Sequence, residues 1–280
     1  MPSYRVNNLA LWLDEPDTLL TGKAAEKLGV LPGDLEQVRV VRSVLDARKR
    51  NHPRTIYTVE VSFAPGRVPR TLPPDVSAVE APPPPALPVA RQPKAPPIII
   101  GMGPAGLFCA QELALRGVKC ILLDRGKDVV ERRKDVAKLM RDGTLTPESN
   151  MSFGEGGAGA YTDGKLSTRI NHPHVRRVIE TFARYGAPDR ILVQGKPHIG
   201  SDLLPLAVEK MRRDLVELGV EVHFNARVDD LLSDGGHITG VRLGDGSVLH
   251  SHRVVLVPGN SARELFEKFA ADERVFIEPK

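Results

Sequence analysis

The sequence predicts an α/β fold, a parallel sheet packed between helices and a small β-meander, preceded by a separate α+β unit. Three features predict it. The apolar run Ile98–Ile100 leads directly into the glycine-spaced turn Gly101, Met102, Gly103, Pro104, Ala105, Gly106 and a helical pattern. Further on, residues 220–224 and 253–257 repeat the short apolar strand, with short strands and SDGG and GDG turns between them. Between the first 64 residues and Ile98 lies a proline-dense stretch that neither a helix nor a central strand can cross.

Residues 1–64 read as a small α+β domain of ferredoxin-like type. A strand is expected over 4–12, a helix over 19–28 stopped by Gly29, a turn at Pro32, Gly33 and Asp34, and strands over 38–45 and 55–63. Residues 39–54 carry six Lys or Arg against one acid, Asp46. Such a hairpin could grip phosphate or RNA. The weightier explanation is a solvated hairpin that blunts a sheet edge with charge. No interleaved aromatics support base stacking, so nucleic acid is not the expected partner. Residues 65–97 hold 12 of the 24 prolines, including Pro82 to Pro85, and are expected to be an extended spacer.

The third region is expected to run over 98–280. In its glycine turn Gly101 permits the tight bend, Gly103 lets main-chain N–H groups approach a diphosphate, and Gly106 lets the helix sit close to the strand. Pro104 fits the first helical turn, where its missing N–H is no loss. The helix N-terminus favours an anion. Residues 119–123 form a second buried strand closed by Asp124, about 20 residues after the glycines, where an acid would bind ribose hydroxyls of a dinucleotide. A lone glycine motif is weak evidence, but here strand, helix and acid all fall in place.

A polar helix is expected over 127–141, followed by a loop with Gly154, Gly156, Gly157, Gly159 and Gly164. Gly159, Gly164 and Lys165 come near a nucleoside-triphosphate loop, but Leu166 cannot ligate magnesium and no buried strand precedes them. His172 and His174 lack a third ligand at metal spacing. Helices follow over 175–185 and 203–218, a third parallel strand over 220–224, a meander over 226–232, 237–243 and 247–251, and a last strand over 253–257. A meander before the last strand suits a flavin-binding Rossmann domain better than a nicotinamide one.

Composition narrows the rest. A formal charge of +4, from 39 basic and 35 acidic residues, indicates no general nucleic-acid or membrane field. No apolar run of about 18 residues exists and residues 1–17 do not resemble a signal peptide, so no membrane association is expected. Two cysteines, Cys109 and Cys120, make no disulfide framework and suit a cytoplasmic location, with packing as their expected role.

Across its whole length the chain resembles the FAD-dependent dehydrogenases grouped as NAD(P)/FAD-dependent oxidoreductases that carry a small α+β domain ahead of the flavin domain. The resemblance rests on VLDARKR, GMGPAGLFCA, LLDRG, PESNMSFGEGGAGAYTDGKL, GKPHIGSDLL, FNARVDDL with ITGV, and VVLVPGNSARE. The glycine-rich block is the most family-specific of these. It implies FAD held by residues 101–106, with Asp124 on the adenosine ribose, Arg125 and Gly126 toward adenine, and the Val228 main chain at the adenine edge. It also implies Gly156, Gly157, Gly159 and Lys165 toward the flavin ring, and Gly259 at the end of the last strand. Members of the family run further, so the expectation is a C-terminally truncated member acting on a small-molecule redox substrate, with NAD(P)H as a candidate electron donor. Here Val257-Pro258-Gly259 replaces the more usual Ala-x-Gly. No catalytic acid or base is assignable; Lys165 is the candidate positive group beside the flavin, and His198 a weaker candidate for proton transfer. Two alternatives stand beside this: a nicotinamide-only dehydrogenase, and an FAD-binding protein with a non-catalytic or RNA-associated role.

Overall fold

A strand whose apolar residues change parity needs a bulge to keep them on one face, and the first strand has one. In β1 (Ser3–Trp12) Val6, Leu9 and Leu11 are all buried although Val6 and Leu9 are an odd number of residues apart. The pairing shifts between Val6 and Leu9, with Asn8 at φ +59° absorbing the extra residue. The computed structural model describes residues 3–49, 52–79, 90–170, 172–272, 276 and 278. Spacer prolines Pro82 to Pro85, hairpin residue Arg50 and the terminal Pro279 and Lys280 lie outside the described residues.

Helix α1 (Leu20–Leu28) buries Leu20, Ala24, Ala25 and Leu28, one stripe at helical spacing, and stops at Gly29 in the left-handed region. It packs on a sheet of β1, β2 (Leu35–Asp46), β3 (Arg54–Phe63) and β4 (Val76–Val79), in the order β2-β3-β1-β4. Val59, Val61 and Phe63 complete this core. The strand β4 lies inside the stretch expected as spacer. It pairs antiparallel with β1 over Ser3–Val6 and buries Val76, so the sheet extends beyond residue 64. In the basic hairpin, Asp46 accepts hydrogen bonds from Arg48 at 2.8 Å and faces Arg54 at 3.5 Å, and the Arg48 side chain is 85% exposed.

The parallel strands β5 (Ile98–Ile100) and β6 (Ile121–Leu123) flank α2 (Pro104–Leu115) in sequence, and α3 (Val129–Asp142) follows, capped by Asp128 accepting from the N–H groups of Val130 and Glu131. Next come α4 (Pro173–Arg184), α5 (Leu204–Glu217), β7 (Glu221–His223), β8 (Val228–Asp234), β9 (His237–Leu243), β10 (Val248–His250), β11 (Val254–Leu256) and α6 (Arg263–Ala270). The sheet order is β11-β5-β6-β7, with every pair parallel, and the antiparallel meander is ordered β10-β9-β8. Alternation splits the strand residues between two faces. Ile98, Ile100, Ile121 and Leu123 meet Ala226, Val228 and Val241 of the meander, while Leu122 faces the helix side, close to Gly106. The fold class is therefore α/β, a Rossmann-type parallel sheet with helices on one face and a meander on the other, preceded by a small antiparallel sheet.

Helix α6 is an element that residue patterning did not foresee beyond the last strand. The chain forms two compact units. One unit comprises Met1–Pro85, Leu166–Ala183 and Pro188–His198; the other comprises Ala86–Lys165, Arg184–Ala187 and Ile199–Lys280. The reason for the long insertion's allegiance is main-chain pairing. Ser43 N–H donates to Val193 O at 2.6 Å, and Gly195 N–H donates to Ser43 O at 2.9 Å, so this segment runs along the edge of β2.

Candidate functional site

The second unit has a cleft of about 650 Å³ at the carboxyl ends of its parallel strands. This is where open α/β sheets bind ligands, and the volume lies in the range of roughly 300–1,000 Å³ typical of such sites. Gly101 follows β5, Asp124 follows β6 and Gly259 follows β11, and all three line the cleft.

The glycine turn is built by close approach. Gly101 has φ +108°, and a Cβ there would stand 2.2 Å from Val257 O; at Gly106 it would stand 1.9 Å from Gly101 O. Gly103 is different. A Cβ there would meet only the Gly157 Cα, at 3.8 Å, an ordinary contact, so packing alone does not demand glycine at this position. Gly103 caps α2 with no side-chain hydrogen bond, and the first turn contains no acid. The first turn of α2, with no side-chain cap, lies at the cleft, and such a helix end favours an anion.

Asp124 sits behind that turn. One carboxylate oxygen accepts from the Met102 N–H and the other from the Gly126 N–H, each at 2.8 Å, and the residue is buried yet lines the cleft. Burial pushes its carboxyl above the usual carboxylate range, opposed by the N–H groups of Gly126, Met102 and Gly154 and by the charge of Arg132. It braces the turn as well as edging the cleft.

A second loop completes the wall. Gly156 N–H donates to Met102 O at 2.9 Å, which seats the glycine block against the first turn. Ser152, Phe153, Gly154, Gly157 and Ala158 line the cleft. At the rim, Arg125 donates to Glu148 at 2.6 Å, pairs with Glu264, and places its guanidinium 4.1 Å from the Phe153 ring centroid. Arg227 donates to Asp229 at 2.7 Å and to Glu148 at 3.1 Å. Glu148 is held below the usual carboxylate range, first by its hydrogen bond from Arg125.

Of the residues expected from the sequence, Gly101, Gly103, Pro104, Ala105, Asp124, Arg125, Gly157, Val228 and Gly259 are brought together around the cleft. Met102, Gly106, Gly126 and Gly156 stand behind it as packing: Met102 is fully buried and Gly126 presses on Gly154. Gly159 and Lys165 are not in the lining. The Lys165 side chain is 64% exposed and pairs with Asp163 at 2.9 Å. That departs from the expected place beside the cofactor, because the chain leaves the cleft after Ala158 into a short 3-10 turn, Ala158–Tyr161. His198 is exposed and lies in the other unit. Patterning did not single out Phe153, Arg227, Asp229, Glu264 and Lys268; the opposite charges of Arg227 and Asp229 two residues apart were a clue, but the place of α6 at the cleft was not legible. No group of three or more metal-ligating side chains is found among the described residues.

A family model described as "FAD binding domain" matches residues 94–250, more than half of the chain. The chain belongs to the FAD-binding domain family. Its cofactor is therefore FAD, and the glycine turn and Asp124 at the cleft lie within the matched segment. A second model, described as "Domain of unknown function (DUF8436)", matches residues 3–62. An uncharacterized protein of Clostridium beijerinckii is 35% identical over 268 residues, covering 95% of this chain and 50% of that protein. The chain thus spans about half the length of this curated relative. Solved structures similar to this FAD-binding chain include three more distant ones. They are Thermovibrio ammonificans THI4 (16% identity, 64% of each chain, TM-score 0.42), L-amino acid deaminase from Proteus vulgaris (12%, 66% of this chain and 51% of that one, 0.41) and glycine oxidase from Bacillus cereus (15%, 63% and 58%, 0.40). No helix among the described residues is long and apolar enough to cross a membrane.

The two cysteines are free. Burial raises both thiols, Cys120's to about 12 with a further contribution from Cys109. In the folded protein Cys120 is therefore expected to resist a disulfide reagent near pH 8 and to react only on unfolding; fast labelling of the native state would contradict its packing role.

Proposed function

We propose that this chain holds FAD along the cleft and acts in an FAD-dependent oxidoreductase of dehydrogenase type. One observation carries the proposal: the N-terminus of α2, capped by Gly103 with no side-chain hydrogen bond, lines the cleft at the ends of the parallel strands. The main-chain N–H groups at the start of α2 would hold the diphosphate. Asp124 would accept from a ribose hydroxyl on lone pairs that Met102 and Gly126 leave open, and Arg125 and Val228 would flank the adenine. Bound FAD supplies the acceptor of a hydride or electron pair and passes it on; the protein supplies position and electrostatics. A small-molecule redox substrate and NAD(P)H as donor complete the proposal. No side chain of the cleft is assigned proton transfer, since Lys165 and His198 lie outside its lining.

Purified protein titrated with FAD gives the test. At 100 times the dissociation constant, FAD should stabilise the fold by about 2.7 kcal/mol, and NAD alone should not. A colourless protein whose melting temperature ignores FAD would overturn the proposal.

A further inference from the structure

Arg132 is a fully buried arginine on α3 that is not itself part of the cleft lining. Its Nε donates to Asn150 O at 2.8 Å, Nη1 donates to Gly154 O at 3.2 Å and to Glu155 O at 2.6 Å, and Nη2 donates to Met151 O at 3.2 Å. Four main-chain carbonyls of one loop thus converge on one planar fork. A lysine could not reproduce this, having a single nitrogen in place of three. The Tyr161 ring lies 5.0 Å from the guanidinium, and the Tyr161 hydroxyl donates to Val129 O at 2.5 Å, closing the far side.

The neighbouring Glu155 is also fully buried, accepting from Val129 N–H at 2.8 Å and from Arg212 at 2.7 Å. Asn150 completes the frame: its amide donates to Thr146 O and Pro147 O, and its carbonyl accepts from Ser152 N–H. Of the residues so held, Ser152 and Gly154 also line the cleft, with Phe153 between them. Glycines at 154, 156, 157 and 159 give the loop little side-chain packing at those positions, and their entropy in the free state is high. Something behind it must set its shape.

We propose that Arg132 is the positioning residue of the cofactor site, drawing the carbonyls of residues 150, 151, 154 and 155 inward so that the loop's outer face stands preorganised against the first glycine turn. This rests on the FAD assignment above. Without the fork the loop samples other shapes, and FAD must order it on binding.

The experiment compares unmodified protein with Arg132→Lys and Asn150→Ala. FAD affinity is measured by quenching of flavin fluorescence, global stability by urea unfolding of the FAD-free protein, and loop order by amide hydrogen exchange. For Arg132→Lys, affinity is expected to fall roughly 10–100-fold, the range for losing an orienting group behind a binding residue. Exchange should quicken over residues 150–157 while Ile98–Ile100 and Ile121–Leu123 stay protected. Asn150→Ala, which leaves Arg132 in place, should weaken affinity less in the same direction and stands in if the lysine variant fails to fold. FAD affinity within twofold of the unmodified protein, whether or not loop exchange changes, would overturn the proposal. Uniformly faster exchange across the strands would also overturn it, marking Arg132 as a general stabiliser. If the unmodified protein itself fails to bind FAD, the cofactor assignment falls first, and that outcome is distinct from any variant's behaviour.

Discussion

Gly106→Ala is expected to prevent the FAD-binding unit from folding, whereas Gly103→Ala should fold and lose FAD. The two glycines lie three residues apart in one motif, but they answer different constraints. At Gly106 the new methyl would sit 1.9 Å from the carbonyl oxygen of Gly101, a main-chain atom that cannot step aside without moving the turn. The cost should exceed the about 1–3 kcal/mol usual for overpacking a core. At Gly103 the backbone is extended, φ −74°, and the methyl would meet only the Gly157 Cα at 3.8 Å, an ordinary contact. Stability should change little, but under the proposed function the methyl would stand at the helix terminus that holds the diphosphate. FAD affinity is expected to drop at least about tenfold, equivalent to about 1.4 kcal/mol. Circular dichroism and FAD-dependent thermal shifts on the two variants separate these outcomes. A Gly103→Ala protein that binds FAD normally would mean the diphosphate lies elsewhere.

Asp124 carries the second large effect. Replacing it with alanine leaves the buried N–H groups of Met102 and Gly126 without their acceptor, at about 1–3 kcal/mol each. Its titration adds a signature. Because burial raises the folded carboxyl above its unfolded value, the associated stability is fully present below the ordinary carboxylate range, about 3.9, and is lost as pH rises through the folded value. Asp124→Asn removes that titration and satisfies only one of the two N–H groups. Its stability deficit against the unmodified protein should therefore be greatest in acid and shrink toward neutrality. Urea midpoints from pH 4 to 7 would show this; two parallel profiles would mean the carboxyl does not titrate in the folded range.

Much of the second unit was legible in the linear chain. Ile98–Ile100, the glycine turn, the pattern of α2 and Asp124 report local constraints: a strand buried on both faces, a bend that excludes Cβ atoms and a helix start. The meander was legible from its turn residues. Less visible was anything decided by packing between distant segments. Arg132 reads as one more charge in the polar run of residues 127–141, and only the folded loop shows that it is buried among carbonyls. Lys165 follows a glycine as a phosphate-binding lysine would, yet the short turn after Ala158 carries it to the surface. The Val193–Gly195 segment runs along β2 through main-chain hydrogen bonds, which any residue can make and no side-chain pattern reveals.

By itself, then, the sequence determined the strand–turn–helix cradle and its acid, because those depend on steric limits within a few neighbouring residues. The tertiary structure alone decided which glycines face the cleft and which stand behind it, and what holds the second loop in place. Those depend on the distance of closest approach between segments far apart in the chain, and on which buried donor finds which carbonyl.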